Sequence, residues 1–296
     1  MKEKPFSKYQ ILANAVMIIW TLAIILPFIL LFMSSITDEN TLVANGYSFF
    51  PKKFSLASYS YIIKSGGQIL KAYGVSIGVT VVGTLLNVLL SALMAYPLSV
   101  KNLPGRNVMM FFVFFTMLFN GGIVPSYIMW TGTFHIKDTI FAQLLPNFLL
   151  SAWNVMMIRT YFTTSIPDGL YEAAEIDGAS QFTIFWKIVL PFGKPILVTM
   201  GTFAGLAYWN DWTNGLYYIV KNTGLYNVQN LLNQMVQNIQ FLTQSSNSNV
   251  TAAASTIPAT GIQMAIAFVA ILPIMLIFPS FQKYYAKGIA LGAVKG

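Results

Sequence analysis

From Leu12 to Met33 the chain runs without a single charged side chain. A helix rises 1.5 Å per residue, so a run of this length covers the ~30 Å hydrocarbon core of a bilayer. Five further runs have the same character: Ala72–Leu98, Asn107–Trp130, Ile140–Ile158, Val189–Asn210 and Gly261–Gln282. Lys194, the one charge in Val189–Asn210, is close enough to an interface to snorkel. Charged residues make up 9% of the chain, against about 25% in a soluble domain. Lipid offers no hydrogen bonds to an open backbone, so such runs must close their own as helices. The fold expected is all-α and polytopic, with six transmembrane helices in a single domain over residues 1–296.

Charge fixes the expected orientation. With both termini inside, eleven of the seventeen Lys and Arg fall on the cytoplasmic side: Lys2, Lys4, Lys8, Lys101, Arg106, Arg159, Lys187, Lys194, Lys283, Lys287 and Lys295. Four of the other six lie in the long first loop, so the short loops follow the positive-inside rule. The net charge of +8 is thus read as loop lysine that sets topology, not as a nucleic-acid surface. The basic opening MKEKPFSKYQ precedes a full-length span and is expected to lead a retained first helix, not a cleaved signal. There are no cysteines and one histidine, His135. That excludes disulfides and thiolate metal sites, and His135 reads as a surface side chain.

Three stretches interrupt the apolar pattern. Ser34–Lys71 is polar and reads as an external loop. In FNGGIVPSYIMW, residues Asn120, Gly121, Gly122 and Pro125 must break a regular helix. Irregular backbone at membrane depth survives only inside protein or along a cavity. Asn120–Pro125 is therefore either a wall of a substrate path or a helix end at the outer interface. AYWNDWTNGLYYI has the same two readings. Trp209 and Trp212 with the neighbouring tyrosines can form an interfacial belt, or, with Asn210, Asp211 and Asn214, a wall that stacks on sugar rings and bonds their hydroxyls. A carboxylate at such depth usually faces a cavity or a partner. The candidate path residues are Asn120, Asn154, Trp209, Asn210, Asp211 and Trp212.

Asp168–Pro195 reads DGLYEAAEIDGASQFTIFWKIVLPFGKP, an acidic, alanine-rich insert between two spans. Leu170, Ala173, Ala174 and Asp177 are spaced to share one helix face. Pro167 suits the start of that helix, about 167–178, and Gly178 suits its end. A second helix is expected from Ser180. Small residues let another backbone approach, and Glu172 and Glu175 add negative charge, so the helix is built to dock a soluble partner.

The pattern EAAEIDGAS…F..W.I.LP…P resembles the EAA loop of ABC importer permeases, in particular the carbohydrate group of maltose-type membrane subunits. Glu172, Ala173, Ala174, Asp177, Gly178, Ala179, Ile188, Leu190 and Pro191 match it position by position. The resemblance implies a coupling helix seated in a groove of a cytoplasmic ATPase. It also implies two ATPase subunits that bind ATP and Mg, a second, related permease, an extracytoplasmic solute-binding protein and an oligosaccharide substrate. The setting implied is the bacterial cytoplasmic membrane. The polar segment Thr223–Ser255 corresponds in position to the loop that reaches the binding protein. The ending QKYYAKGIALGAVKG resembles the tail that runs along the ATPase dimer, which makes Gly288, Gly292, Lys295 and Gly296 candidate contacts. FNGGIVPSY and FQKYYAKG…GAVKG look most like the subgroup that imports oligosaccharides from complex polysaccharides.

No Walker A pattern, HExxH or Gly-x-Ser-x-Gly elbow is present, so no enzymatic activity and no cofactor is expected in this chain. Two other readings remain open. An ABC permease for peptides or polyamines fits the coupling motif and predicts a charged path. A motor-independent secondary transporter predicts ionisable groups within the spans, which are nearly free of them.

Overall fold

The computed structural model describes residues 8–64, 66–244 and 259–293. Among them no strand forms; Thr37 and Phe54 make one isolated bridge. The chain divides into two compact units, one of Met1–Ile69 with Leu232–Pro273, the other of Leu70–Leu231 with Ile274–Gly296.

In the first unit, α1 (Lys8–Ser35) is uniformly apolar, and none of its apolar window is buried within the chain. Lipid or another subunit must cover it. Its end engages neighbours. Ser35 Oγ donates to Phe32 O at 2.6 Å and lies 2.8 Å from Tyr59 Oη, while Thr37 Oγ1 donates to Met33 O. A small cap follows, made of α2 (Glu39–Asn45) and α3 (Ala57–Lys64). It is closed by Asp38 N bonding Lys53 O, by Ser55 N bonding Ile36 O and by the Lys53–Asp38 ion pair. Ile62 packs with Ile262, Ala265 and Ile266.

The second unit is built on α4 (Gly66–Ser99), a span 33 residues long from Gly67. Next come α5 (Arg106–Leu118) and α6 (Ile123–Ile128), which continues as a π turn to Thr133. The expected break is present. Asn120 Oδ1 accepts Gly122 N at 2.9 Å, Gly122 has φ +84, and the two helices diverge by 110°.

The run expected to be a fourth span, Ile140–Ile158, is not one helix. It begins as α7 (Phe141–Leu144), opens over 145–151 and resumes as α8 (Ala152–Ser165). Pro146 removes an N–H, and Asn147 takes a left-handed φ of +68. Side chains satisfy the carbonyls freed by the break. Tyr208 Oη donates to Leu144 O (2.9 Å), Asn214 Nδ2 to Pro146 O (3.1 Å) and Asn87 Nδ2 to Phe148 O (2.6 Å). Buried acceptors need such partners.

Then follow α9 (Asp168–Ile176), α10 (Gln181–Ile184) with a π turn, α11 (Leu190–Phe192) and α12 (Lys194–Asn210). The expected span Val189–Asn210 is divided, because the chain turns 78° at Gly193. Only glycine fits there, since a Cβ would lie 2.5 Å from the Phe162 ring and 2.9 Å from Val189 O. Gly83 of α4 is equally constrained; a Cβ would sit inside the Tyr208 ring contact, so α4 and α12 cross closely. The chain continues through α13 (Thr213–Tyr218), α14 (Val228–Gln244) and α15 (Ala259–Ala293).

Among the described residues, three helices can cross a membrane by length and composition, or up to five if each bent pair counts as one span. The broken 140–158 segment is what separates this from the expected six.

Candidate functional site

The insert folds as two short helices on one core. Pro167 precedes the first turn of α9 with extended ψ 137, so it is the residue before the helix, not within it. At the other end Ala179 N bonds Ala174 O (2.9 Å) and Gly178 N bonds Glu175 O (3.0 Å), with Gly178 at φ +75. These paired bonds make a Schellman closure, which needs a left-handed residue where Gly178 stands. Ser180 then caps α10, its Oγ accepting Thr183 N at 3.2 Å. Hence the turn Asp177–Ser180 has a fixed shape dictated by D-G-A-S.

Leu170, Tyr171 and Ala179 pack on a core of Ala95, Tyr96, Phe162, Ala174, Ile184 and Phe185. The four residues expected to share a face are split by this packing. Tyr171 is large, and its burial turns the inward stripe to 170, 171 and 174. Ala173 and Asp177 are left outside with Glu172, Glu175 and Ile176. Ile176 is 85% exposed. Charge-free spacing could not single it out, yet it is the one large apolar side chain projecting from α9. Phe182, 67% exposed on α10, adds to the same apolar signal.

Polar contacts hold the insert to the span ends. Tyr96 Oη donates to Gln181 Oε1, and Gln181 Nε2 donates to Glu175 Oε1 at 2.9 Å. Tyr96 stacks on Tyr171, with ring centroids 6.4 Å apart. Lys101 pairs with Asp168 in the first turn of α9, where negative charge favours the helix dipole. Both groups are exposed, so the pair orients more than it stabilises. Arg159 Nε caps the end of α4 by donating to Leu98 O at 3.1 Å.

The candidate path residues fall into two groups. Asn120, Asn210 and Trp212 are exposed. Asn154, Trp209 and Asp211 are buried. Asn154 Nδ2 donates to Asn87 Oδ1 at 2.7 Å, which in turn aims Asn87 at the α7–α8 break. Asp211 Oδ1 accepts Thr213 N and Asn214 N and starts α13. Its other oxygen is buried without a hydrogen-bond partner. Around it lies an amide cluster of which only Asn214 was singled out from the sequence. Asn227 Nδ2 donates to Asp211 O and Gln143 Oε1, Asn230 Nδ2 donates to Trp212 O, and Gln143 Nε2 donates to Leu225 O. Asparagine scattered through apolar sequence was the available signal, but only the fold brings residues 143, 214, 227 and 230 together.

Asp138 was also missed. Its Oδ1 accepts the N–H groups of Val220, Lys221 and Asn222 at 2.6, 2.7 and 3.2 Å. Desolvation pushes this carboxyl up, but the three backbone donors outweigh it and hold it below the usual carboxylate value. Gly288 and Gly292 lie in α15, whereas Lys295 and Gly296 lie outside the described residues.

Residues 72–291 match the model of the binding-protein-dependent transport system inner membrane component. The chain belongs to this family. As a family member it is 36% identical over 272 residues to protein LplC of Bacillus subtilis, covering 92% of this chain and 90% of the relative. The polygalacturonan/rhamnogalacturonan transport system permease protein YtcP of the same organism is 35% identical over 288 residues, covering 97% and 98%. Among solved structures, a chain of a bacterial ABC transporter involved in the import of the acidic polysaccharide alginate superposes with a TM-score of 0.79. Identity to it is 25%, over 96% of this chain and 100% of that one. The family places the chain as an inner-membrane subunit of a transport system, and the α9–α10 insert falls inside the matched region.

Proposed function

We propose that this chain is the permease subunit of an ATP-driven importer that takes up oligosaccharides derived from complex polysaccharides. The observation that carries this reading is α9. It is a short acidic helix, closed by a Schellman turn and braced on the span ends, with Glu172, Ala173, Ile176 and Asp177 facing outward. Such a helix transmits movement because its inner face is packed in the core while its outer face is free. In this account Glu172, Ala173, Asp177 and Gly178 meet the ATPase, Ala174 and Ala179 seat the helix, and the tail from Gly288 to Gly296 makes a second contact. The ATPase partner holds ATP and Mg. The spans are half of a path completed by a second permease, and a binding protein delivers the sugar from outside.

The substrate class rests on relatives named for pectic polysaccharides and alginate. The exposed Asn120, Asn210 and Trp212 suit a hydroxyl-rich ligand, and the buried Asn154, Trp209 and Asp211 hold their supports in place. Peptide or polyamine import would call for charged side chains among these positions.

The test is ATP hydrolysis by the reconstituted complex with its binding protein. The panel includes oligogalacturonides, rhamnogalacturonan fragments, alginate oligosaccharides, tripeptides and putrescine. Stimulation by one glycan class supports the reading. Stimulation by peptides or putrescine alone moves the substrate class elsewhere.

A further inference from the structure

The N-terminus of α15 is held by a side chain from more than two hundred residues earlier. Glu39 Oε1 accepts Thr260 N at 2.9 Å, and Glu39 Oε2 accepts Gly261 N at 2.8 Å. The first N–H groups of a helix have no partner within it, and they carry the positive end of its dipole. A carboxylate that takes two of them at once is a strong, directional anchor. Glu39 is itself fixed, because it opens α2 directly after Asp38, whose backbone and carboxylate are both tied to Lys53.

The approach is close at Gly261. A Cβ there would lie 2.5 Å from Ser58 Oγ and 3.1 Å from Glu39 Oε2. Below this contact the helix packs against the same cap through Ile62, Ile262, Ala265 and Ile266. Residues 1–69 and 232–273 accordingly form one compact unit.

We infer that Glu39 is a positioning residue for transport: its carboxylate fixes the outer end of the last span to the cap of α2 and α3, so that the two move as one body. The inference rests on the importer reading only for what the movement accomplishes. The anchor itself is tested without any sugar. The last span cannot tilt at this end without carrying the cap, and the cap is then the part of this chain through which an external event reaches that span.

The test uses the full complex in nanodiscs and measures amide exchange over residues 259–270, with and without MgATP plus vanadate as the only probes. In the wild type, Thr260 and Gly261 are expected to exchange slowly in both states. Glu39→Ala should speed exchange there about tenfold or more, with Glu39→Gln between the two, since it keeps an acceptor and loses the charge. A second arm uses the chain's lack of cysteine. A Cβ at 261 would lie 3.8 Å from Ser58 Cβ, which suits a disulfide. Ser58→Cys/Gly261→Cys should cross-link and leave nucleotide-driven ATP turnover intact; Glu39→Ala should lower that turnover, and the cross-link should restore it. Exchange at 260–261 that rises on vanadate trapping, or a cross-link that stops turnover, would show that the anchor opens during the cycle and overturn the inference. Failure of every glycan to stimulate would instead count against the substrate reading alone.

Discussion

Ile176 offers the sharpest prediction. It stands 85% exposed on a helix whose other outward residues are small or acidic. A water-exposed isoleucine adds nothing to the fold of this chain, so its truncation should leave thermal stability within about 0.5 kcal/mol. If α9 docks into an ATPase groove, the same side chain is buried there. Complete burial of an isoleucine contributes about 1.5–3 kcal/mol, and nearly all of its surface is available. Ile176→Ala keeps only the Cβ, so docking should weaken by about 2 kcal/mol, or ~30-fold in Kd. The assay titrates labelled ATPase subunit onto permease in nanodiscs. Val43→Ala, at a side chain 71% exposed in the other unit, serves as the control and should change nothing. Equal affinity for wild type and Ile176→Ala would refute the reasoning, because an apolar side chain in a groove cannot be removed without cost.

Three further outcomes follow from the fold. Gly83→Ala should lower the melting temperature sharply through its clash with Tyr208, and Tyr208→Ala in the same chain should recover part of the loss by making room. Asn214→Leu strips Pro146 O of its donor inside the protein, so thermal unfolding should show a loss of about 1–3 kcal/mol, the cost of an orphaned buried acceptor. Asp138 has a folded pKa below the ordinary aspartate value of 3.8, so its contribution is complete above 3.8 and is lost as pH falls through the lower folded value. The difference in melting temperature between wild type and Asp138→Ala should therefore stay constant from neutral pH to near 3.8 and narrow below it.

The long spans and the insert were legible because each rests on a local rule. An uncharged run must become helix in lipid, and D-G-A-S encodes a helix end, a left-handed glycine and a new cap within four residues. The break at Asn120–Gly122 was legible for the same reason. The segment 140–158 was not. Its apolar composition suits a span, and Pro146 alone does not decide between a kink and an opening. What permits the opening is a set of donors from Asn87, Tyr208 and Asn214, sixty or more residues away. The outward face of α9 misled for a related reason. Helical spacing gives relative angles but not which angle points inward, and the bulk of Tyr171 settled that. Asp211 is buried, but its use as the start of α13 depends on a turn that sequence spacing does not define.

The central claim is that α9 couples this permease to an ATPase. Its most direct test is glycan-stimulated ATP hydrolysis by the reconstituted complex, comparing wild type with Glu172→Lys. Glu172 is exposed, so the variant should fold and assemble in the membrane as the wild type does. Loss of stimulation with the basal ATPase rate of the free motor unchanged is the predicted result. Stimulation equal to wild type would place the coupling surface elsewhere and contradict the account.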